Sequence, residues 1–367
     1  MGDAHRIGVV GLGVISRAYL DTLVGHRAVR VTAVADLDAS RSAAVAAELP
    51  GVQALSVEEL LSSPDVDTVL NLTVPAAHAE IALGAIGHGK HVYGEKPLSA
   101  ELTDARTVLE AAAKAAVAVG CAPDTVLGTG VQTARAAVEA GAVGRPLFAS
   151  AVMITPGHER WHPHPDFYYT PGGGPLLDMG PYYLSALVHL LGPVRAVIGA
   201  SSRLRTERVI GSGPRTGERI PVEVDSHVSG VLEHEGGILT TITTSFDGVA
   251  TTAAPIEVHG ERGTLTVPDP NNFDGEVRLL ELGEGEKGWR TLLPSAGYVG
   301  AARGVGLLDF VAAGGPRAPR ASGELALHVL ETMTALLRSS AEGRRIELST
   351  SVERPVPVPL TPPQEWR

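Results

Sequence analysis

Short apolar runs alternate with helical stretches over the first third of the chain. Residues 6–10 read as a strand, a glycine-rich turn follows, a helix runs to about Leu23, and residues 29–35 form a second strand. The alternation continues with a helix over 40–49, a weak strand over 52–55, a short helix over 57–61 and a strand over 66–72. Pro75 suits the first turn of a helix through Ile86, which Gly87 or Gly89 stops, and residues 91–93 form the next strand. Leu102, Ala105, Leu109, Ala112 and Ala116 fall at offsets 0, 3, 7, 10 and 14, which predicts an amphipathic helix over 99–116 before a last strand at 118–121. Strands that are apolar throughout belong to a parallel sheet covered by helices on both faces. The expected class is α/β, with a doubly wound parallel sheet forming a first domain over 1–123.

After a helix over 130–140 the pattern becomes alternating. Val222 and Val224 flank Glu223, Ile238 and Ile242 sit among threonines, and residues 256–258 and 265–267 bracket a glycine turn at 260–263. This predicts a large, mainly antiparallel sheet in a second α/β domain over 124–350. Ala326, Val329, Leu330, Met333, Leu336 and Leu337 mark a helix that packs one face. Pro355, Pro357, Pro359, Pro362 and Pro363 make residues 351–367 a tail, either extended along the body or disordered.

Composition narrows the function classes. The 367 residues are 44% hydrophobic and 19% charged, enough for two domains with cores, and the formal charge is −11. No basic stripe interrupts that acidity, so nucleic acid and anionic membrane are not expected partners. Cys121 is the only cysteine, which excludes an intrachain disulfide and a cysteine metal cluster; a small buried residue is the expected role. No secretory leader pattern and no apolar run of membrane-spanning length is present, so a cytoplasmic protein is expected.

The first chemical signal is Gly11-Leu12-Gly13-Val14-Ile15-Ser16, between a strand and a helix. Gly11 permits the turn, Gly13 lets the backbone approach a pyrophosphate, and the helix start at Val14 and Ile15 offers unpaired N–H groups to that anion. Ser16 replaces the third glycine with a small residue. Asp36 ends the second strand, 36 − 16 = 20 residues later, where an acid accepts from the adenosine ribose hydroxyls. It favours NAD over NADP; Arg41 keeps NADP possible. Thr73, at a strand end, suits a cofactor contact and a helix cap alike. For His78 two readings stand, cofactor contact or a packed helix histidine. Glu95-Lys96-Pro97 follows the fifth strand, where a parallel sheet presents ligands, and an X-Pro bond there can be cis.

Two later stretches carry polar chemistry. Asp178 and Tyr182, in the run Gly172 to Tyr182, share a helix face if Asp178 is already helical; Pro181 argues that this is the first turn. The alternative is a plain helix start, with Asp178 near the dipole and Tyr182 packed. The segment 157–169 holds His158, His162, His164 and Asp166, but its prolines deny helical ligand spacing and no metal is expected. Trp161, His162 and Tyr168 suit a polyhydroxylated ring, with an apolar face and a hydroxyl rim; a packing loop or subunit contact is the competing reading.

With the Gly11 turn, Asp36, Glu95-Lys96-Pro97 and Gly172-Gly173-Gly174-x-x-x-Asp178-x-Gly180 together, nearly the whole chain resembles the Gfo/Idh/MocA (glucose-fructose oxidoreductase, inositol dehydrogenase, rhizopine catabolism) family. The resemblance implies a Rossmann domain, a second domain whose open sheet makes a homodimer or homotetramer, NAD or NADP as cofactor, and a sugar or polyol substrate. It places Glu95 and Lys96 at the cofactor and Lys96, Asp178 and Tyr182 in the active site. Many members have histidine four residues after the aspartate; Tyr182 instead resembles the branch in which tyrosine is the acid/base, which puts inositol in doubt. A phenol ionises near pH ~10, so a Lys96 ammonium would have to favour the phenolate. The implied reaction is hydride transfer at a carbinol carbon. A redox-neutral enzyme that cleaves or epimerises glycosides and a non-catalytic sensor are the alternatives; retention of all three residues argues against the sensor.

Overall fold

The computed structural model describes residues 4–283, 288–313 and 319–367, which divide into two compact units. The first comprises residues up to Leu127 with Tyr298–Leu327 and Thr361–Arg367; the second comprises Gly128–Gly297 and His328–Leu360.

In the first unit, β1 (His5–Val10), α1 (Ser16–Leu23), β2 (Val29–Ala35), α2 (Ala39–Glu48), β3 (Gln53–Ala54) and α3 (Val57–Ser62) follow in order. Next come β4 (Thr68–Asn71), α4 (His78–Gly87), β5 (His91–Gly94), α5 (Leu102–Ala115) and β6 (Val119–Cys121). The six strands are parallel in the order β3-β2-β1-β4-β5-β6. Ile7, Val9, Val69, Leu70 and Tyr93 are fully buried, as strands covered on both faces require. Two expected helices start late. Pro75–Ala77 is a 3-10 turn ahead of α4, and α5 begins at Leu102 because the Ser99 hydroxyl donates to the Glu101 carbonyl in a turn. The packed stripe of α5 is Ala105, Val108 and Ala112.

The second unit begins with α6 (Thr129–Glu139), β7 (Pro146–Ile154), α7 (Pro175–Leu191), β8 (Val194–Ser202), β9 (Glu207–Val209) and β10 (Arg219–Pro221). It continues through β11 (His227–His234), β12 (Leu239–Ser245), β13 (Ile256–Gly260), β14 (Gly263–Val267), β15 (Val277–Glu281) and β16 (Arg290–Leu292). The chain ends with α8 (Val305–Ala312), α9 (Gly323–Glu342), β17 (Ile346–Glu347) and α10 (Pro363–Trp366). Nine strands form one sheet in the order β16-β15-β14-β13-β7-β12-β11-β8-β17, antiparallel except for the β7–β12 pair. Helix α7 packs on the face that carries Ala149, Ala151, Val228, Leu232 and Ile242, all buried, while Phe148, Ile198 and Leu239 point to the other face and stay about half exposed. The expected strand around Val222 and Val224 is absent: Val222 is buried, but its N–H goes to the Thr206 carbonyl beside the small β9–β10 hairpin.

The compact units differ from the expected 1–123, 124–350 and 351–367 in that Tyr298–Leu327 and Thr361–Arg367 join the first. Cys121 N–H donates to the Ala321 carbonyl at 3.0 Å and Gly120 bridges Ser322, so a late segment covers the β6 edge of the first sheet. The tail is bound: it is irregular to Pro362 and ends in the short helix α10. Pro359 bridges Ala296 in the second unit, whereas Trp366 is buried in the first and donates its indole N–H to the Val299 carbonyl at 3.0 Å. Among the described residues, no helix is long and apolar enough to cross a membrane.

Candidate active site

Gly11 carries the turn after β1 at φ +92°, and a Cβ there would lie 2.7 Å from the carbonyl carbon and oxygen of Leu72. Only glycine combines that dihedral with so close a backbone. Gly13 is the opposite case: nothing lies within 4 Å of a Cβ built on it. Val14 is almost fully exposed, Ile15 is the N-cap of α1 and gives no side-chain cap, and a cavity of about 760 Å³ lined by Leu12, Gly13, Val14, Arg17 and Arg41 opens beside the turn. Asp36 fixes the turn through a Leu12 N–H donated to its Oδ2 at 2.7 Å, and its Oδ1 accepts the Asp38 N–H at 2.9 Å. The Arg41 guanidinium stands 3.9 Å from Asp36 Oδ1. An open glycine, uncapped helix N–H groups and a carboxylate at the end of β2 fit a dinucleotide with free ribose hydroxyls.

The ends of β4 and β5 are braced together. Asn71, buried, accepts the Thr73 hydroxyl and N–H at 2.6 and 3.2 Å and donates to the His78 carbonyl at 3.0 Å. The His78 ring is only 2% exposed, with Nδ1 2.6 Å from the Pro97 carbonyl oxygen and Nε2 3.0 Å from that of Thr73. Burial lowers its pKa. His78 is thus a packed histidine tying the Thr73 turn to the turn after Lys96. Glu95 accepts the Tyr19 hydroxyl at 2.7 Å and the Lys96 N–H at 3.0 Å; burial, then the Glu95 charge, push the Tyr19 phenol well above its usual range. Lys96 precedes a cis peptide bond to Pro97 and is half-buried. Cys121 is buried, and desolvation raises its thiol pKa.

In the second unit, α7 starts at Pro175, so Pro181 lies inside the helix and not in its first turn. Proline at the first position is what a helix start tolerates best, and Pro175, not Pro181, fills it. Asp178 is therefore helical, its N–H donating to the Gly174 carbonyl at 3.1 Å, and buried Tyr182 follows one turn later on the same face. Asp178 Oδ2 lies 3.1 Å from Nε2 of His158, a residue the sequence reading weighed only as a metal ligand; the signal was a histidine directly after a glycine in a proline-rich loop. Asn71 was passed over. The His158 ring packs at 4.5 Å from Phe246, 4.7 Å from Tyr168 and 5.3 Å from Trp161, centroid to centroid. Trp161 is 59% exposed beside half-buried His162, whose pKa burial lowers. Beneath this cluster, buried Glu159 accepts from the Tyr169 hydroxyl and from Arg208, and Arg208 reaches Asp247. Asp166 pairs bidentately with Arg215, and among the described residues no three His, Cys, Asp or Glu side chains gather where they could share a metal ion.

A dinucleotide turn on a parallel sheet, followed by a mixed sheet whose helix α7 carries a carboxylate and a phenol, defines a nicotinamide-dependent oxidoreductase: the chain transfers a hydride with NAD. Residues 5–122 match the oxidoreductase family with an NAD-binding Rossmann fold, and residues 131–266 match the GFO/IDH/MocA C-terminal domain. The chain belongs to the GFO/IDH/MocA family. It is 30% identical over 358 residues to the 1,5-anhydro-D-fructose reductase of Ensifer adhaerens, covering 95% of this chain and 100% of that one. It is 27% identical over 289 residues to the myo-inositol 2-dehydrogenase of Thermotoga maritima, covering 78% and 81%. In fold it is similar to an NAD-binding oxidoreductase from Klebsiella pneumoniae (TM-score 0.82, 23% identity, 95% and 100% covered) and to levoglucosan dehydrogenase in complex with NADH (0.78, 21%, 95% and 100%).

Proposed function

We infer that the chain interconverts a carbinol and a carbonyl at one carbon of a sugar or related polyol. The single observation that carries this is Asp178 and Tyr182, one turn apart on the same face of α7, in a chain whose glycine turn fits NAD. Relatives named for anhydrofructose, inositol and levoglucosan support the substrate class. Bound NAD supplies the hydride acceptor. The protein's own share is the proton and the alignment. Tyr182 takes the hydroxyl proton at its Oη as the carbinol is oxidised and returns it in reduction, Asp178 orients the substrate hydroxyl, and Lys96 is the further active-site residue that the family resemblance implies. Trp161 and His162 offer an exposed ring and a polar edge to the sugar.

Asp36 favours NAD, with Arg41 leaving room for NADP. The half-exposed sheet face around Phe148, Ile198 and Leu239 supports a homodimer or homotetramer. The test is absorbance at the NADH band with NAD or NADP and a panel of levoglucosan, 1,5-anhydro-D-fructose, myo-inositol and free aldoses. Tyr182→Phe and Lys96→Ala should each abolish turnover while NAD still binds. Normal turnover in both variants refutes the assignment; silence across the panel with nucleotide released on denaturation favours a redox-neutral reaction.

A further inference from the structure

The geometry points to His158 as the residue that positions the Asp178 carboxylate for the reaction, an inference that rests on the function proposed above. A carboxylate in the first turn of a helix turns freely about its side-chain bonds unless something holds it. Here the holder is rigid. Nε2 of His158 meets Asp178 Oδ2 at 3.1 Å, and the two side chains are only 12% and 18% exposed. Phe246, Tyr168 and Trp161 enclose the imidazole at centroid distances of 4.5, 4.7 and 5.3 Å, so the ring cannot swing away without losing packing on several sides.

The backbone beneath the ring is fixed as well. Gly157 is at φ +104°, and a Cβ there would fall 2.1 Å from Glu159 Oε2, so the loop enters His158 in a conformation reserved for glycine. The Trp161 and His162 N–H groups both donate to the His158 carbonyl, at 3.2 and 2.9 Å, and the Gly211 N–H donates to the Glu159 carbonyl at 2.7 Å. An imidazole so constrained holds the carboxylate oxygen it touches in one place relative to α7. His158 acts through Asp178 and is a positioning residue.

Two substitutions separate that bond from packing. His158→Phe keeps an aromatic ring among the aromatic neighbours and removes the donor; His158→Gln keeps an N–H donor the same number of bonds from Cα. On whichever of levoglucosan, 1,5-anhydro-D-fructose and myo-inositol the wild type turns over fastest, His158→Phe should lower kcat about 10- to 100-fold, the scale of one lost hydrogen bond to a charged group. KM for the sugar and the Kd for NAD should stay near wild type, His158→Gln should recover most of the loss, and adding His158→Phe to Asp178→Asn should cost nothing further. Full activity in His158→Phe, or equal loss in the Gln and Phe variants, overturns the inference while Asp178→Asn remains impaired. A fully active Asp178→Asn, or a wild type inert on all three sugars, instead overturns the functional reading beneath it.

Discussion

Gly11 and Gly13 stand two residues apart in one turn, yet alanine at each should act in opposite ways on the free protein. Gly11→Ala forces a side chain into φ +92° and drives its Cβ to 2.7 Å from Leu72 and Thr73 backbone atoms, which cannot rotate aside. The dihedral alone costs about 1–3 kcal/mol, and displacing the Leu72 strand end brings the total to roughly 2–4 kcal/mol. The shift also draws the Leu12 N–H from Asp36, 2.7 Å away, so NAD binding weakens together with stability. Gly13→Ala meets nothing within 4 Å and needs no unusual dihedral. By restricting the unfolded chain it should leave stability unchanged or raise it by about 0.4–1 kcal/mol. Its methyl group, however, fills the space through which a pyrophosphate reaches the N–H groups of α1. Loss of one charge-assisted hydrogen bond weakens NAD roughly 10- to 100-fold. Urea unfolding of the free variants and calorimetric titration with NAD read the two effects separately. Wild-type NAD affinity in Gly13→Ala would refute the assignment of this turn to the pyrophosphate, and an undiminished urea midpoint in Gly11→Ala would refute the packing argument.

Other expectations follow from the same geometry. His234 is fully buried between the Gly192 carbonyl at 2.8 Å and the Thr240 hydroxyl at 3.0 Å, and burial lowers its pKa from 6.5 to about 4. Above pH 6.5 the ring is neutral whether folded or not; as pH falls from 6.5 to 4 the unfolded chain takes up a proton the fold refuses, and stability drops by about 3 kcal/mol. His234→Gln should flatten the urea midpoint across that window, and an unchanged slope would contradict it. Asp36→Ala should shift kcat/KM toward NADP by about 10-fold or more while costing about 1 kcal/mol, because two N–H donors lose their carboxylate. Phe148, stacked on His259 at 4.4 Å on the half-exposed sheet face, should be intolerant of charge: Phe148→Lys is expected to yield monomers by light scattering, and an unaltered mass would place the interface elsewhere.

The Rossmann sheet was legible because its inner strands are buried on both faces and must be largely apolar, a constraint written locally; the edge strand β3, Gln53–Ala54, is exposed and its signal was correspondingly weak. The glycine turn and Asp36 were legible for the same reason, since their roles depend on neighbours in sequence. Where local cues competed, reading went astray. Two prolines stand six residues apart, 175 and 181, and either could open a helix; only packing decides that Pro175 does. Val222 and Val224 alternate like a strand, but Val222 bonds Thr206 beside the hairpin and joins no strand of the nine-stranded sheet. His158 meets Asp178 from 20 positions away, across a proline-rich stretch with two 3-10 turns, a contact no periodicity encodes. The discontinuous first unit was illegible for the same cause, because its closing bonds join residues far apart in the chain.

That closure has a consequence for synthesis. Strand β6 ends at Cys121, and the backbone that pairs with its outer edge begins at Ala321, 321 − 121 = 200 residues later. At roughly 5–20 residues per second, a ribosome needs about 10–40 s to deliver it. During that interval the nascent Rossmann sheet has an unpaired parallel edge, the kind of surface that recruits another strand. The edge of the first sheet therefore stays open until the ribosome has passed Ala321, long after the six strands themselves are made.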